Sequence, residues 1–253
     1  MKLLDQYNRD GYVIARNVID ADLIREASNH VEWLIKKNPD RRPEQLWQDL
    51  IPHDPFWVRL IGDDRLLDVA QEFIGPNIGL FASHYLSKPA GDGMAVLWHQ
   101  DGIYWPLEPM EVVTLWLAVD DSTPENGCMR VIPGTQNLKL QKIVERKDVV
   151  NVLNSEVDPN VVDESKAVDL ILKAGDLSVH HPNIIHGSNA NTSTKRRCGL
   201  NIRYIPTTTR ITVPWGCDFL LRGQAVPGIN DYKPRPRYNP ATCMPFRGCE
   251  KWI

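Results

Sequence analysis

Paired cysteines and net charge are both scarce in this 253-residue chain. The five cysteines, Cys128, Cys198, Cys217, Cys243 and Cys249, include no Cys-x-x-Cys spacing. That argues against a disulfide framework and against a structural zinc site built on clustered thiolates, and it fits reduced thiols in the cytoplasm. A formal charge of -3 gives no general attraction to nucleic acid or to an anionic membrane. No uninterrupted apolar run is long enough to span a bilayer. Met1-Lys2-Leu3-Leu4 runs into Asp5-Gln6-Tyr7-Asn8-Arg9-Asp10 instead of the apolar stretch of a signal peptide. Lys251-Trp252-Ile253 is not a peroxisomal address. A strained Gly-x-Ser-x-Gly elbow is missing, as are a phosphate-cradling glycine loop, a dinucleotide fingerprint and any internal repeat. These absences predict a cytoplasmic protein with no nucleic acid and no membrane as partners; a monomer or small homo-oligomer with a small-molecule substrate is the expectation.

The composition is that of a globular protein, 42% hydrophobic and 24% charged, and the length suits one domain over residues 1–253. The run Tyr12-Val13-Ile14-Ala15 predicts a short strand. Asp20 or Asp22 caps a helix whose apolar residues Leu23, Ile24, Ala27, Val31, Leu34 and Ile35 keep helical spacing as far as Asn38-Pro39. Leu66, Leu67, Ala70, Phe73 and Ile74 predict a second helix, stopped by Gly75-Pro76. From residue 78 the texture turns to strands, predicted at 78–86, 94–99, 112–119, 129–132, 167–172, 177–181 and 199–205, with Gly127, Pro133-Gly134 and Gly175-Asp176 as punctuation. Residues 137–166 are polar and without strong period, and read as a surface excursion. The expected fold class is α+β: a helical part over about 1–77, a double-stranded β-helix (a cupin-like jelly roll) over about 78–206, and an irregular, proline-rich, basic tail over about 207–253.

Two distant stretches carry chemistry, Trp98-His99-Gln100-Asp101-Gly102 and His186-Gly187-Ser188. Side-chain direction repeats every second residue in a strand, so His99 and Asp101 share a face. His186 from a later strand completes two imidazoles and a carboxylate. This set leaves one side of a metal open, as in non-haem Fe(II) oxygenases. Taken singly, a His-x-Asp pair is common, and a lone histidine is more often a satisfied core residue. A hairpin over 189–194 would return Arg197 beside His186, where its guanidinium and the Ser188 hydroxyl would hold a remote carboxylate. By strand parity Arg197, Asn201 and Arg203 share one face, and Arg196 with Cys198, Leu200 and Ile202 the other. Arg196 reads as a solvated charge; for Arg203 a functional and a solvated reading weigh equally. Trp116 reads as pocket or plain core. His180 and His181 point oppositely, and neither is better placed than His99.

Together with Ser87-Lys88-Pro89, Tyr104-Trp105-Pro106, 114–118 and Asn126 to Thr135, these segments resemble the phytanoyl-CoA dioxygenase family of Fe(II)/2-oxoglutarate oxygenases. The resemblance implies that His99, Asp101 and His186 bind iron and form the catalytic centre. It further implies that Ser188 and Arg197 hold 2-oxoglutarate, and that Trp116 and His84 line its pocket. Gln136 stands where many members have histidine. Asp101 fills the position that halogenating relatives leave open for chloride. The implied reaction uses Fe(II), 2-oxoglutarate and O2, releases succinate and CO2, and hydroxylates a small polar metabolite. Desaturation, cyclisation or demethylation would use the same residues. Tyr104, Trp105, Asn201 and Arg203 are candidate substrate contacts, with Trp98, Trp215, Arg210 and the basic tail as further possibilities. The rival classes are a non-catalytic jelly-roll metal-binding protein and a zinc hydrolase on the same three ligands.

Overall fold

A computed structural model describes residues 3–253. Four α-helices, with one strand between the first two, precede the main run of strands: α1 (Leu3–Asp10), α2 (Ala21–Lys37), α3 (Pro55–Ile61) and α4 (Asp64–Ile74). Asp20 caps α2, accepting from the backbone N–H groups of Asp22 and Leu23, and Asp63 does the same for α4 through Arg65. Gly75, at φ 80°, ends α4 in a conformation that side chains disfavour. The pattern predicted α2 and α4 but neither α1 nor α3. In α3, Pro55-Phe56-Trp57-Val58 and Leu60-Ile61 are all buried, and such a short apolar run carries no helical period to read.

Ten strands build two facing sheets: β1 (Tyr12–Ala15), β2 (Ile78–Lys88), β3 (Val96–His99), β4 (Val113–Ala118), β5 (Met129–Val131), β6 (Val168–Asp169), β7 (Leu177–His180), β8 (His186–Ser188), β9 (Arg197–Pro206) and β10 (Phe219–Arg222). The larger sheet has the order β1-β7-β4-β9-β2-β10 and the smaller β3-β8-β5-β6, with the listed pairings antiparallel. This is the jelly roll. Alternation along the larger sheet divides its two faces. Leu115, Leu117, Leu200 and Ile202 join the main core with α2, α3 and α4, while Trp116, Asn201 and Arg203 turn inward, towards the smaller sheet. The Trp57 indole donates to Ser83 Oγ (3.0 Å), whose hydroxyl donates to the Asn201 carbonyl (2.7 Å), so α3 is pinned to β2 and β9 behind the site.

Three expectations need correction. No hairpin joins β8 and β9: they lie in different sheets, and residues 189–196 cross between them. Three hydrogen bonds from the Asn191 side-chain amide, to the carbonyls of Lys88, Pro89 and Lys195, tie down this crossing in place of a tight turn. The excursion over 137–166 is not only surface. Its ribbon, Ile143–Glu145 paired with Ser155–Val157, leads Val152 and Leu153 into the central cavity. The tail is not wholly irregular, because β10 pairs with β2, and Arg210–Ile211 pairs with Leu107–Glu108. Beyond them Phe246 packs edge-on against Phe56 at 5.6 Å, an apolar anchor hidden among prolines.

Candidate active site

The site forms where the two sheets face each other. His99 ends β3 and is the direct cross-strand partner of His186 on β8, with ring centroids 4.1 Å apart. Strand parity carries only as far as His99. Asp101 opens a short 3-10 turn, Asp101–Ile103, that swings its carboxylate back towards both rings. One ligand atom from each of the three residues lies within 4.8 Å of the others. Nε2 of His99 is 3.6 Å from Oδ1 of Asp101, and Nε2 of His186 is 4.0 Å from Oδ2. Ligands at right angles around a metal about 2.1 Å away stand roughly 3 Å apart, so closing the two histidine–carboxylate gaps asks for about 1 Å or less at each.

The donor set fits a divalent metal. Nδ1 of His99 lies 2.8 Å from the Leu97 carbonyl and Nδ1 of His186 lies 3.0 Å from the Ile184 carbonyl. A carbonyl only accepts, so each Nδ1 keeps the ring hydrogen and each Nε2 presents its lone pair to the common point. Burial and the neighbouring His99 hold His186 well below the usual imidazole range, hence neutral. Burial opposes ionisation of Asp101, but its neighbours, the Arg203 guanidinium foremost, favour the carboxylate, and the carboxyl stays well below its ordinary range. His180 is fully buried with its Nε2 3.8 Å from Oδ2 of Asp101, outside the ligand set, and His181 accepts from the backbone N–H of Asn183.

Behind these three residues lie two buried basic side chains. Arg197, 1% exposed, donates to the Gly127 carbonyl from Nε (3.1 Å) and Nη2 (2.9 Å), and its Nη2 is 3.4 Å from the Ser188 hydroxyl. Gly127 reaches this position at φ 77°. The guanidinium lies 5.3 Å from the centroid of the Trp116 ring. Lys88, fully buried, donates to Ser188 Oγ at 2.7 Å and to the Asn189 carbonyl. Among the described residues neither side chain has a carboxylate partner. Burial draws Arg197 down to about 10, and burial with Arg197 nearby draws Lys88 down to about 5. A buried guanidinium without a counter-ion is costly, and an anion bound beside it relieves that cost and also favours the charged form of Lys88.

Of the candidates, His84, Tyr104, Trp105, Trp116, Ser188, Arg197, Asn201, Arg203 and Trp215 line one cavity of about 240 Å³ together with the three ligands. Others do not. Trp98 packs with Ile132 and Ile185 in a separate cluster, under Arg130. Arg210 donates to the carbonyls of Gly228 and Ile229, and no residue after Trp215 reaches the cavity. Arg196 is not free in solvent but forks onto Asp120 with two bonds of 2.8 Å. Gln136 is structural, donating to the carbonyls of Asn8 and Arg9 and so holding the end of α1. Sequence reasoning missed Lys88, Trp47, Gln48, Val152 and Leu153. Lys88 was readable, because it keeps the alternation along β2 that turns Ala82, His84 and Leu86 to the cavity, and its amine meets Ser188 behind it; Trp47, Val152 and Leu153 sit in loops and Gln48 opens a short 3-10 helix, with no period to follow.

The profile of the family described as phytanoyl-CoA dioxygenase matches residues 7–199. The L-proline trans-4-hydroxylase of Streptomyces griseoviridis is 26% identical over 252 residues, covering 88% of this chain and 93% of its own. A protein of Stutzerimonas stutzeri described as a probable alpha-ketoglutarate-dependent hypophosphite dioxygenase is 30% identical over 190 residues, covering 74% of this chain and 66% of its own. Among solved structures, the apo form of a non-heme monooxygenase, ThoJ, superposes with a TM-score of 0.78 at 24% identity, covering 93% of this chain and 88% of that one. The ectoine dioxygenase of Sphingopyxis alaskensis, solved with 2-oxoglutarate and 5-hydroxyectoine, gives 0.67 at 20% identity over 92% and 86%. The long family match, over a jelly roll that brings His99, Asp101 and His186 together, decides the matter: this chain belongs to the phytanoyl-CoA dioxygenase family of non-haem iron oxygenases.

Proposed function

We propose that the protein hydroxylates a small polar metabolite at an unactivated C–H bond, using Fe(II), 2-oxoglutarate and O2 and releasing succinate and CO2. The observation that carries this reading is a pair of buried basic side chains without carboxylate partners, the Arg197 guanidinium and the Lys88 amine, set behind the His99–Asp101–His186 face. A zinc hydrolase or a metal-storage protein has no use for such an anion cradle. Bound iron supplies the redox chemistry, coupling decarboxylation of the 2-oxoacid to removal of hydrogen from the substrate.

The chain's own residues supply placement. His99, Asp101 and His186 occupy one face of the metal and leave the other for the 2-oxoacid and dioxygen. Arg197, Lys88 and Ser188 hold the distal carboxylate, and Trp116 walls its chain. The rings of Trp47, Trp105 and Trp215 with Val152 and Leu153 exclude water from the substrate end. The test is anaerobic titration with Fe(II) and 2-oxoglutarate, then a screen of small metabolites for substrate-stimulated succinate and an oxygen-bearing product. Binding of both ligands is expected, with succinate formed only in oxygen. Tight zinc binding with oxygen-independent hydrolysis and no 2-oxoglutarate affinity would overturn the reading.

A further inference from the structure

At the cavity end away from Arg197, the side chains that point inward are donors. Arg203 gives Nη1–H to Nδ1 of His84 at 2.8 Å. A guanidinium only donates, so Nδ1 accepts and the neutral ring keeps its hydrogen on Nε2. That Nε2 lies 3.1 Å from Nδ2 of Asn201, which would set two donors face to face. A half-turn of the Asn201 amide resolves the conflict: its oxygen takes the Nε2 hydrogen, and its NH2 group turns to the cavity. Arg203 itself keeps spare capacity. Its Nη2 reaches Oδ2 of Asp101 only at 3.5 Å, and its buried Nε has no acceptor among the described residues.

Charge points the same way. Iron brings two positive charges and Arg197 one more, while Asp101 and the two carboxylates of 2-oxoglutarate bring three negative ones. Those cancel, and Arg203 remains, buried, 4.9 Å from the centroid of the Trp105 ring. Any proton on Lys88 enlarges the surplus. Asp101 is the one acidic side chain lining the cavity among the described residues, and the metal claims it. A cationic group on the substrate would therefore have to face the open mouth.

We propose that Arg203 and Asn201 bind a carboxylate of the substrate, with its carbon skeleton packed against Trp105, Trp215, Val152 and Leu153. This deepens the iron and 2-oxoglutarate reading and rests on it. The test loads the protein with Fe(II) and saturating 2-oxoglutarate under argon, so that the Arg197 end is filled, and measures calorimetric binding of matched pairs. The pairs are propionate and propionamide, cyclopentanecarboxylate and its amide, and benzoate and benzamide. Failure to load would defeat the underlying reading before any pair is added. In loaded wild-type protein at least one acid should bind about tenfold or more tighter than its amide, as expected for a charge-assisted bond to a guanidinium. Arg203→Gln should erase that preference, and Asn201→Asp should reverse it by facing the acid with a carboxylate. Equal binding of acid and amide in every pair, or binding of neither, overturns the proposal. So does loss of Fe(II) affinity in Arg203→Gln with the acid preference intact, because Arg203 would then serve only to position Asp101.

Discussion

Arg196 and Arg197 are neighbours with opposite duties. Arg197 turns inward over Trp116, and Arg196 turns outward to Asp120. Arg197→Ala should weaken 2-oxoglutarate binding by about 2–5 kcal/mol, the usual loss when one partner of a buried charge pair is removed. Arg196→Ala should leave that affinity in place and lower thermal stability instead. Anaerobic calorimetry and a melting curve on each variant separate the two effects; a silent Arg197→Ala would mean the register of β9 is wrong. Lys88 makes a second, pH-dependent case. Its folded pKa of about 5 lies below the ordinary 10.5, so between those values the unfolded chain holds a proton that the fold does not. The resulting destabilisation is fully present below about pH 5 and fades as pH rises towards 10.5. A carboxylate bound against Nζ favours the charged amine, so 2-oxoglutarate binding near pH 8 should take up a proton. That uptake appears as a dependence of the binding enthalpy on the ionisation heat of the buffer, and Lys88→Met should abolish it.

Among the elements, β9 does most to shape the site. It pairs with β2 on one side and β4 on the other, and presents Arg197, Asn201 and Arg203 to the cavity. Gly199 fills the gap in that row, since a Cβ there would stand 1.9 Å from the Trp116 ring. Gly199→Ala should therefore displace Trp116, cost about 1–3 kcal/mol of stability by overpacking and weaken 2-oxoglutarate binding. Melting temperature and co-substrate affinity should fall together; an unchanged affinity would show that Trp116 does not wall the 2-oxoacid. The parity of β9 was legible in the sequence because alternating burial leaves a period of two. Its partners were not. Nothing local in His186-Gly187-Ser188 or Arg197 shows that they belong to opposite sheets, because that depends on pairings more than a hundred residues away, such as Arg197 with Lys88. Val152 and Leu153 were equally hidden. Their position is set by an Asn151 side chain that accepts from the backbone N–H groups of Leu153 and Asn154, a local buckle inside a stretch with no period.

Over the whole molecule the helices and the tail act as one clamp on the outer face of the larger sheet. Phe246 meets Phe56 on α3, the Arg247 backbone N–H donates to Glu26 on α2 at 2.7 Å, and the Tyr232 ring fills the space that Gly79 leaves on β2. Removing residues 227–253 should lower the melting midpoint by several degrees, since it uncovers Phe56 and the face of α2. No residue of 227–253 lines the cavity, so the truncated protein should still bind Fe(II) and 2-oxoglutarate. Loss of both at a temperature where the protein remains folded would contradict this division of labour. In the described residues no helix is long and apolar enough to cross a membrane.

The two ends of the cavity are not equally free to change. The walls contributed by β2, β4 and β9 are locked into the sheet by hydrogen bonds on both sides, and sliding any of them by one residue would invert every inward group at once. Trp47, Gln48, Val152 and Leu153 stand outside the sheets, on loops and at the start of a short 3-10 helix, where replacement or insertion leaves the ladder intact. Descendants of this chain that acquire new substrates would therefore diverge first at those segments, while the end built from His99, Asp101, His186 and Arg197 is inherited almost unaltered.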